Sequence, residues 1–153
     1  MIRHVLIPTD GSESARGAAR RALEFAAALG ARATGLHVIV PFHAYTYRSQ
    51  VMLSYHRALP EDSQAAYEAT TTACARRILD EFEGLAEEAG VRCDTLVLQH
   101  DEPFRAILDA AQRKRCDLIA MASAGRSGIS GVLLGNEAHK VLTHGKLPVL
   151  VFR

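Results

Sequence analysis

Residues 117–142 read DLIAMASAGRSGISGVLLGNEAHKVL, and this stretch decides the fold that we expect for the chain. It opens with a short apolar segment typical of a buried strand, continues through a glycine-rich loop and ends in a segment with helical spacing. Glycine lets backbone N–H groups approach an anion closely, and the first N–H groups of a helix have no partner inside the helix. A strand, a glycine-rich loop and a helix start in this order therefore predict a phosphate-binding site.

Length and composition indicate one globular domain. The chain has 153 residues, of which 48% are hydrophobic, so a single domain over residues 1–153 is expected. Its 18 basic and 17 acidic residues leave a net charge of +1. Nucleic-acid-binding and membrane-surface proteins usually carry clustered basic charge, so the sequence argues against both classes.

Two further features predict a cytoplasmic protein. No apolar run approaches the ~18 residues of a membrane span, and the opening residues lack the pattern of a signal peptide. The three cysteines, Cys74, Cys93 and Cys116, form no C-x-x-C pair. We expect them to be reduced, small apolar residues of the core and not metal ligands.

Strand-like and helix-like segments alternate along the chain. Five strands are predicted, over residues 5–7, 34–40, 93–98, 118–121 and 148–152. The predicted helices cover residues 12–30 and 62–89, a third begins at Pro103, and a fourth follows Gly135 with Ala138, Val141 and Leu142 on its apolar side. This alternation implies a mainly parallel sheet with helices on both faces, which binds ligands beyond the carboxyl ends of its strands.

Residues 41–60 show no clear period, so we expect a long loop there. The loop carries Tyr45, Tyr47 and Tyr55, three of the four tyrosines of the chain. Loops of this length in compact domains often serve as lids over a site. A flap that packs its tyrosines on the core is the alternative.

Two of the predicted strands are followed by polar or glycine-rich residues. The first strand is followed by PTDGS, residues 8–12, and the fourth by residues 122–136. If these strands are neighbours, both loops face one crevice. Asp10, which precedes Gly11 and Ser12, has a second interpretation, because an aspartate in this position can also initiate a turn or cap the first helix.

The combination of these loops resembles the universal stress protein family. The resemblance covers the whole chain and lies in VLIPTDGS (5–12), LHV (36–38), GRSG (125–128), LLG (133–135) and PVLV (148–151). It implies a Rossmann-like, doubly wound α/β fold with a five-stranded parallel sheet in the order 3-2-1-4-5 and four helices. In that order the first and fourth strands are neighbours.

ATP-binding members of the family carry the motif G-x2-G-x9-G-[ST], and this chain keeps its spacing but changes two of its four residues. The matching positions are Ala122, Gly125, Gly135 and Asn136. Ala122 is costly if the position needs a positive φ and harmless in extended backbone. Asn136 keeps a polar side chain and is a good helix N-cap, but its amide reaches further than a hydroxyl.

The resemblance implies that the chain binds ATP or AMP, with or without Mg²⁺. Asp10 would contact the ribose or the metal–phosphate region, and Val38 would meet the adenine through its backbone. The N–H groups that start the last helix would face the phosphates. Gly128 is not a motif residue and is placed by loop geometry alone. The predicted nucleotide-binding residues are Pro8, Thr9, Asp10, Val38, Met121, Ala122, Gly125, Arg126, Ser127, Gly128, Gly135, Asn136, Glu137 and Ala138.

Several of these residues have competing interpretations. Glu137 could point outward, satisfy the N–H groups of its own helix in place of a phosphate, or help to hold Mg²⁺. Gly125 and Gly128 could be plain turn glycines, and Arg126 could be solvated. Outside this set, His37 is expected to be a packed or hydrogen-bonded histidine. The run 100–102, HDE, is not expected to hold a metal, because adjacent strand residues point to opposite faces.

No catalytic set emerges, since the chain lacks a P-loop, an H-E-x-x-H pair and a G-x-S-x-G elbow. The leading hypothesis is therefore a nucleotide-binding regulator of stress or signalling, and not an enzyme. A second hypothesis keeps the fold as a dimeric interaction protein without ATP. A third is a slow ATPase or nucleotidyl transferase, which the lack of a general base disfavours. The resemblance also implies a homodimer joined through the last strand; the sequence does not identify another protein partner.

Overall fold

The structure, a computed structural model, describes residues 1–43, 62–124 and 134–153. The strands are β1 (His4–Pro8), β2 (Arg32–Ile39), β3 (Cys93–Gln99), β4 (Leu118–Ala122) and β5 (Val149–Phe152). The helices within the described ranges are α1 (Glu13–Ala28), α2 (Asp62–Glu88), α3 (Pro103–Arg113) and α4 (Asn136–His144). The alternating order expected from the sequence is confirmed, with ends that shift by one or two residues.

The five strands form one parallel sheet in the order β3-β2-β1-β4-β5. This is the predicted order, and it makes β1 and β4 neighbours. The chain leaves β1 toward β2 on one side and reaches β4 on the other, so the direction of winding reverses between β1 and β4. Ligands bind at such a reversal, above the carboxyl ends of the strands.

Helices cover both faces of the sheet and produce two apolar layers. The layer under α1 and α2 contains Val5, Ile7, Ala22, Leu23, Phe82, Leu118 and Ala120. The layer under α3 and α4 contains Leu6, Leu36, Phe104, Ile107, Ile119, Met121 and Val141. Successive residues of β1 and β4 alternate between the layers, as the period of two in a strand requires. These central strands are therefore apolar on both sides.

Local sequence signals set the ends of the helices. The Ser12 hydroxyl accepts a hydrogen bond from the Ala15 N–H at 3.2 Å and caps α1. Gly30 and Gly90 follow α1 and α2 with φ of +63° and +67°, where a side chain would be strained. Pro103 occupies the first turn of α3, where its missing N–H costs nothing.

Two expectations for the last helix are wrong in detail. Leu142 is 45% exposed, so the buried side of α4 consists of Ala138 and Val141. Gly135 is the N-cap residue and Asn136 is the first helical residue, so Asn136 does not cap the helix. The expected loop over 41–60 lies outside the described residues from position 44 onward.

In the described part of the chain, no helix combines the length and the apolar character needed to cross a membrane. The same ranges contain no group of three or more His, Cys, Asp or Glu side chains placed to hold a metal ion.

Candidate functional site

A cavity of about 640 Å³ opens at the carboxyl end of the sheet, above β1, β2 and β4. Every predicted site residue that the structure describes lies in its wall. These residues are Pro8, Thr9, Asp10, Val38, Met121, Ala122, Gly135, Asn136, Glu137 and Ala138. The other four, Gly125, Arg126, Ser127 and Gly128, lie outside the described residues. The topology therefore brings the turn after β1 and the described ends of the second predicted loop to one crevice.

The turn after β1 is held by its own side chains. The Thr9 N–H donates to the Leu36 carbonyl at 2.8 Å and ties the turn to β2. The Asp10 carboxylate accepts from the Ser12 N–H at 2.9 Å, and the Thr9 hydroxyl accepts from the Gly11 N–H at 3.3 Å. Asp10 thus initiates a turn, one of its two predicted roles, while the same half-buried carboxylate lies in the cavity wall.

His37 adds a second link between β2 and this turn. Its Nδ1 lies 2.9 Å from the Thr9 carbonyl oxygen, and the half-buried ring lines the cavity. His37 has the same parity along β2 as Gly35, which faces the Phe82 ring of α2. The imidazole therefore lies on the α1/α2 side of the sheet, whereas Val38 points to the α3/α4 side. The expectation of a hydrogen-bonded histidine is confirmed.

The motif departure at Ala122 has no backbone cost. Ala122 is the last residue of β4 and pairs with Phe152 of β5, in extended conformation. Arg115 has the only positive φ among the described non-glycine residues, so the position of Ala122 does not require glycine. Of the two alternatives that the sequence left open, the harmless one applies.

Gly135 is required by the close approach of two backbone segments. Its N–H donates to the Ser123 carbonyl, just beyond the end of β4. A Cβ at this position would lie 2.9 Å from the Ser123 oxygen and 3.1 Å from the Ala124 Cα. The glycine therefore lets the start of α4 lie against the end of β4, which brings the N-terminus of α4 to the cavity. A side chain at this position would therefore point at the backbone of Ser123 and Ala124.

The first turn of α4 borders the cavity. Asn136, Glu137 and Ala138 are its first three residues and all line the cavity, and an α-helix provides no acceptor for N–H groups at these positions. Their partial positive charge favours an anion. Asn136 is exposed, so replacing the hydroxyl residue of the motif changes the rim of the cavity and leaves this row of N–H groups in place.

Glu137 takes a role that none of the three sequence-based interpretations included. Its carboxylate accepts a hydrogen bond from the Phe104 N–H at 2.8 Å, in the first turn of α3. The residue before α3, Glu102, makes no side-chain capping bond to that helix. Glu137 thus reaches from α4 to cap α3, with Lys140 3.7 Å from its other oxygen. The interpretation of an outward carboxylate is wrong, because a helix distant in sequence supplies the partner.

The wall formed by α2 was not predicted from the sequence. Tyr67, Thr71 and Cys74 line the cavity, and the Tyr67 hydroxyl donates to the Val40 carbonyl at 2.6 Å. Their spacing of four and three residues places them on one helix face. That spacing was the available signal, but nothing in it indicated that the face borders a cavity. The ring of Tyr67 also packs on Phe42, with centroids 5.5 Å apart.

A separate polar cluster lies at the amino end of the sheet, away from the cavity. His4 is 2% exposed, and its Nε2 lies 2.7 Å from the Thr34 hydroxyl, which donates to Asp94 at 2.6 Å. Lys114 pairs with the other Asp94 oxygen. Burial and then the charge of Arg32 lower the pKa of His4. Burial would raise the pKa of Asp94, but hydrogen bonds from Lys114 and Thr34 outweigh it and hold that pKa below its ordinary value.

Comparisons with known proteins bear on the whole chain. The sequence profile of the Universal stress protein family matches residues 1–153. A universal stress protein of Methanocaldococcus jannaschii is 30% identical over 155 residues, covering 100% of this chain and 83% of that protein. One of Thermus aquaticus is 31% identical over 153 residues and covers 100% of both.

Solved structures share the fold. A chain described as a hypothetical protein has a TM-score of 0.78 at 23% identity and covers 99% of this chain and 95% of its own. A universal stress protein in complex with cAMP has a TM-score of 0.66 at 24% identity, covering 99% and 97%. The universal stress protein from Archaeoglobus fulgidus in complex with dAMP has a TM-score of 0.63 at 18% identity, and the match covers 100% of this chain and 98% of that chain. An Arabidopsis thaliana family member with AMP bound has a TM-score of 0.66 at 20% identity, and the match covers 98% of this chain and 90% of that chain. Profile, relatives and fold agree, and the chain belongs to the universal stress protein family.

Proposed function

We propose that this protein binds an adenine nucleotide in the cavity above β1, β2 and β4, and acts as a regulator in stress response or signalling. The observation that carries the proposal is the meeting of the Asp10 turn and the N-terminus of α4 in one cavity at the winding reversal of the sheet. The three ligands bound by the similar folds, cAMP, dAMP and AMP, support it, since each combines adenine, a pentose and a phosphate.

The cavity wall offers suitable groups for the base, the sugar and the phosphate of such a ligand. Val38, Ile107 and Met121 provide an apolar surface for a flat base. The first turn of α4 provides N–H donors for a phosphate. The Asp10 carboxylate lies in the turn after β1, where it can accept from sugar hydroxyls or face a phosphate-bound Mg²⁺. Gly125, Arg126, Ser127 and Gly128 lie outside the described residues and are proposed as further phosphate contacts from the family resemblance and the loop sequence alone.

Nucleotide binding is favoured over the alternative of a dimeric interaction protein without a nucleotide. That alternative was motivated by the two departures from the ATP motif. Ala122 lies in extended backbone and Asn136 is exposed, so neither change fills the cavity or removes an N–H donor of α4. The departures therefore leave the groups that would hold a phosphate in place.

Calorimetry of the purified protein with ATP and Mg²⁺, AMP and cAMP tests the proposal. We expect at least one of them to bind with micromolar affinity, which corresponds to about −8 kcal/mol. Ribose 5-phosphate, which lacks the base, is expected to bind far more weakly and is the control for non-specific phosphate binding. Absence of heat with every nucleotide at millimolar concentration would overturn the proposal and favour the interaction protein.

The proposed function does not include catalysis. The two carboxylates in the described wall already accept backbone hydrogen bonds, Asp10 from Ser12 and Glu137 from Phe104. These bonds orient both carboxylates toward backbone groups, and the chain carries no P-loop, no H-E-x-x-H pair and no G-x-S-x-G elbow. We expect phosphate release from ATP to equal that of the buffer alone. Steady turnover that scales with protein concentration would instead support a slow ATPase.

A further inference from the structure

We propose that His37 is a specificity-determining residue that accepts a hydrogen bond from a sugar hydroxyl of the ligand through Nε2. The inference rests on the proposed function, since it assigns the sugar subsite of the same cavity. It goes beyond the motif residues, because His37 belongs to β2 and was expected to be a packed or hydrogen-bonded histidine without a role in ligand binding.

The partner of Nδ1 sets the tautomer of the ring. The Thr9 carbonyl oxygen, 2.9 Å from Nδ1, can only accept a hydrogen bond, so Nδ1 must carry the proton. In the neutral imidazole Nε2 then has no proton and presents a lone pair. The backbone of the turn therefore fixes His37 as an acceptor at its far nitrogen.

The far nitrogen of His37 is open to the cavity. Within residues 1–43, 62–124 and 134–153, the His37 ring makes a single hydrogen bond, from Nδ1 to the Thr9 carbonyl oxygen. Among the same residues, His4 Nδ1 is the one side-chain polar atom that is both sealed from solvent and without a partner. Nε2 of His37 is thus reachable, on a half-buried side chain in the cavity wall. Within the described residues, no donor bonds to it.

The residues beside His37 indicate which ligand group would bind there. Asp10 follows Thr9 directly, and an ionised carboxylate is a pure acceptor. Beside the turn after β1, the wall thus offers two acceptors, His37 Nε2 and the Asp10 carboxylate, which suit hydroxyl donors better than bare phosphate oxygens. The donors for phosphate come from α4, on the other face of the sheet. A nucleotide with its phosphate at α4 and its base on the apolar wall is left with its ribose hydroxyls as the donors for this side.

The test uses ligands that differ by one hydroxyl. Affinities of the wild type for AMP, 2′-deoxy-AMP and 3′-deoxy-AMP are measured by calorimetry at pH 8. We expect at least one deoxy analogue to bind roughly 3- to 10-fold more weakly than AMP, the cost of one lost hydrogen bond. In His37→Asn the side-chain amide can still donate to Thr9, but the distal acceptor is missing. This variant is expected to bind AMP and that analogue equally.

The outcomes separate the two proposals. Equal affinity of the wild type for AMP and both analogues, or undiminished discrimination in His37→Asn, overturns the role of His37 and leaves nucleotide binding intact. Failure of the wild type to bind any nucleotide overturns both. A direct readout needs no variant: nitrogen NMR should show that the neutral imidazole of the wild type carries its proton on Nδ1, and the Nε2 resonance should shift when AMP binds. A neutral ring with its proton on Nε2 would overturn the inference.

Discussion

At the scale of single residues, partners from distant parts of the chain decide what a polar side chain does. Glu137 begins α4 but caps α3 through the Phe104 N–H. His4 begins β1 but belongs to a chain of hydrogen bonds that reaches Thr34 and Asp94, residues 30 and 90 positions away in number. In both cases the side chain satisfies a group that neighbouring sequence does not contain. Such roles follow from the folded geometry.

The buried His4 predicts a loss of stability on acidification. Its pKa is lowered in the folded state, so below about pH 6.5 the unfolded chain binds more protons than the folded chain. The stabilisation is present above that pH and decreases as the pH falls toward the folded-state pKa. Urea unfolding at pH 7.5 and pH 5.5 should therefore show a lower midpoint at pH 5.5.

A matched pair of variants tests the assignment to His4. His4→Gln can still donate to the Thr34 hydroxyl but does not titrate, so its midpoint should change less between the two pH values. His139→Gln replaces an exposed histidine and should behave as the wild type. An unchanged pH dependence in His4→Gln would show that another group is responsible. Asp94 and Asp117 also have lowered pKa values, but they change the stability only below about pH 4, outside the range compared here.

At the scale of secondary-structure elements, the connection from β4 to α4 positions the site. The Gly135 N–H bonds to the Ser123 carbonyl, and Glu137 joins α4 to the start of α3. The rings of Phe104 and His144, with centroids 5.3 Å apart, hold the same two helices together at the other end of α4. The N-terminus of α4 is therefore held at a fixed place beside the cavity.

Gly135→Val is expected to abolish nucleotide binding while the protein stays folded. The side chain would press on the backbone of Ser123 and Ala124, which displaces the start of α4 and costs about 1–3 kcal/mol of unfolding free energy. Far-UV dichroism should be kept while the calorimetric signal for the nucleotide is lost. The control is Gly17→Ala in α1, where a Cβ meets nothing within 4 Å. It should bind normally and gain about 0.5–1 kcal/mol. Unchanged affinity in Gly135→Val would place the phosphates elsewhere.

At the scale of the whole molecule, the sheet has two edges, β3 and β5. The residues of β5 are half-buried and uniformly apolar, and Arg21 lies over the Phe152 ring at 4.8 Å. The opposite edge, β3, carries Asp94, Thr95 and Gln99 among its seven residues. An apolar edge strand with unpaired backbone groups favours pairing with another chain, whereas polar edge residues oppose it.

We propose a homodimer joined through β5, which the Val151→Lys variant tests. A lysine on this strand would place a charge in the contact, so light scattering should show a dimer for the wild type and a monomer for the variant. Val97→Lys is the control on the other edge, where Val97 is 42% exposed. It should leave the dimer intact. A wild-type monomer at tens of micromolar, or a Val151→Lys variant that remains dimeric, would contradict this interface.

The sequence by itself determined the fold of this protein. Apolar runs of strand length alternate with helical stripes, and this order permits little besides a parallel sheet covered on both faces. The motifs at 5–12, 125–128 and 148–151 led to the family, and with it to the strand order that the structure confirms. Ser12, Gly30 and Pro103 marked helix ends correctly, because capping and turn chemistry depend on neighbouring residues alone.

The tertiary structure decided the details of the candidate site. The wall contributed by Tyr67, Thr71 and Cys74, the capping of α3 by Glu137 and the open nitrogen of His37 all depend on contacts between elements far apart in sequence. The need for glycine at position 135, and its absence at 122, depends on backbone distances and on φ. Sequence patterns report which face of an element is buried, but the partner of a polar side chain is set only when the elements pack.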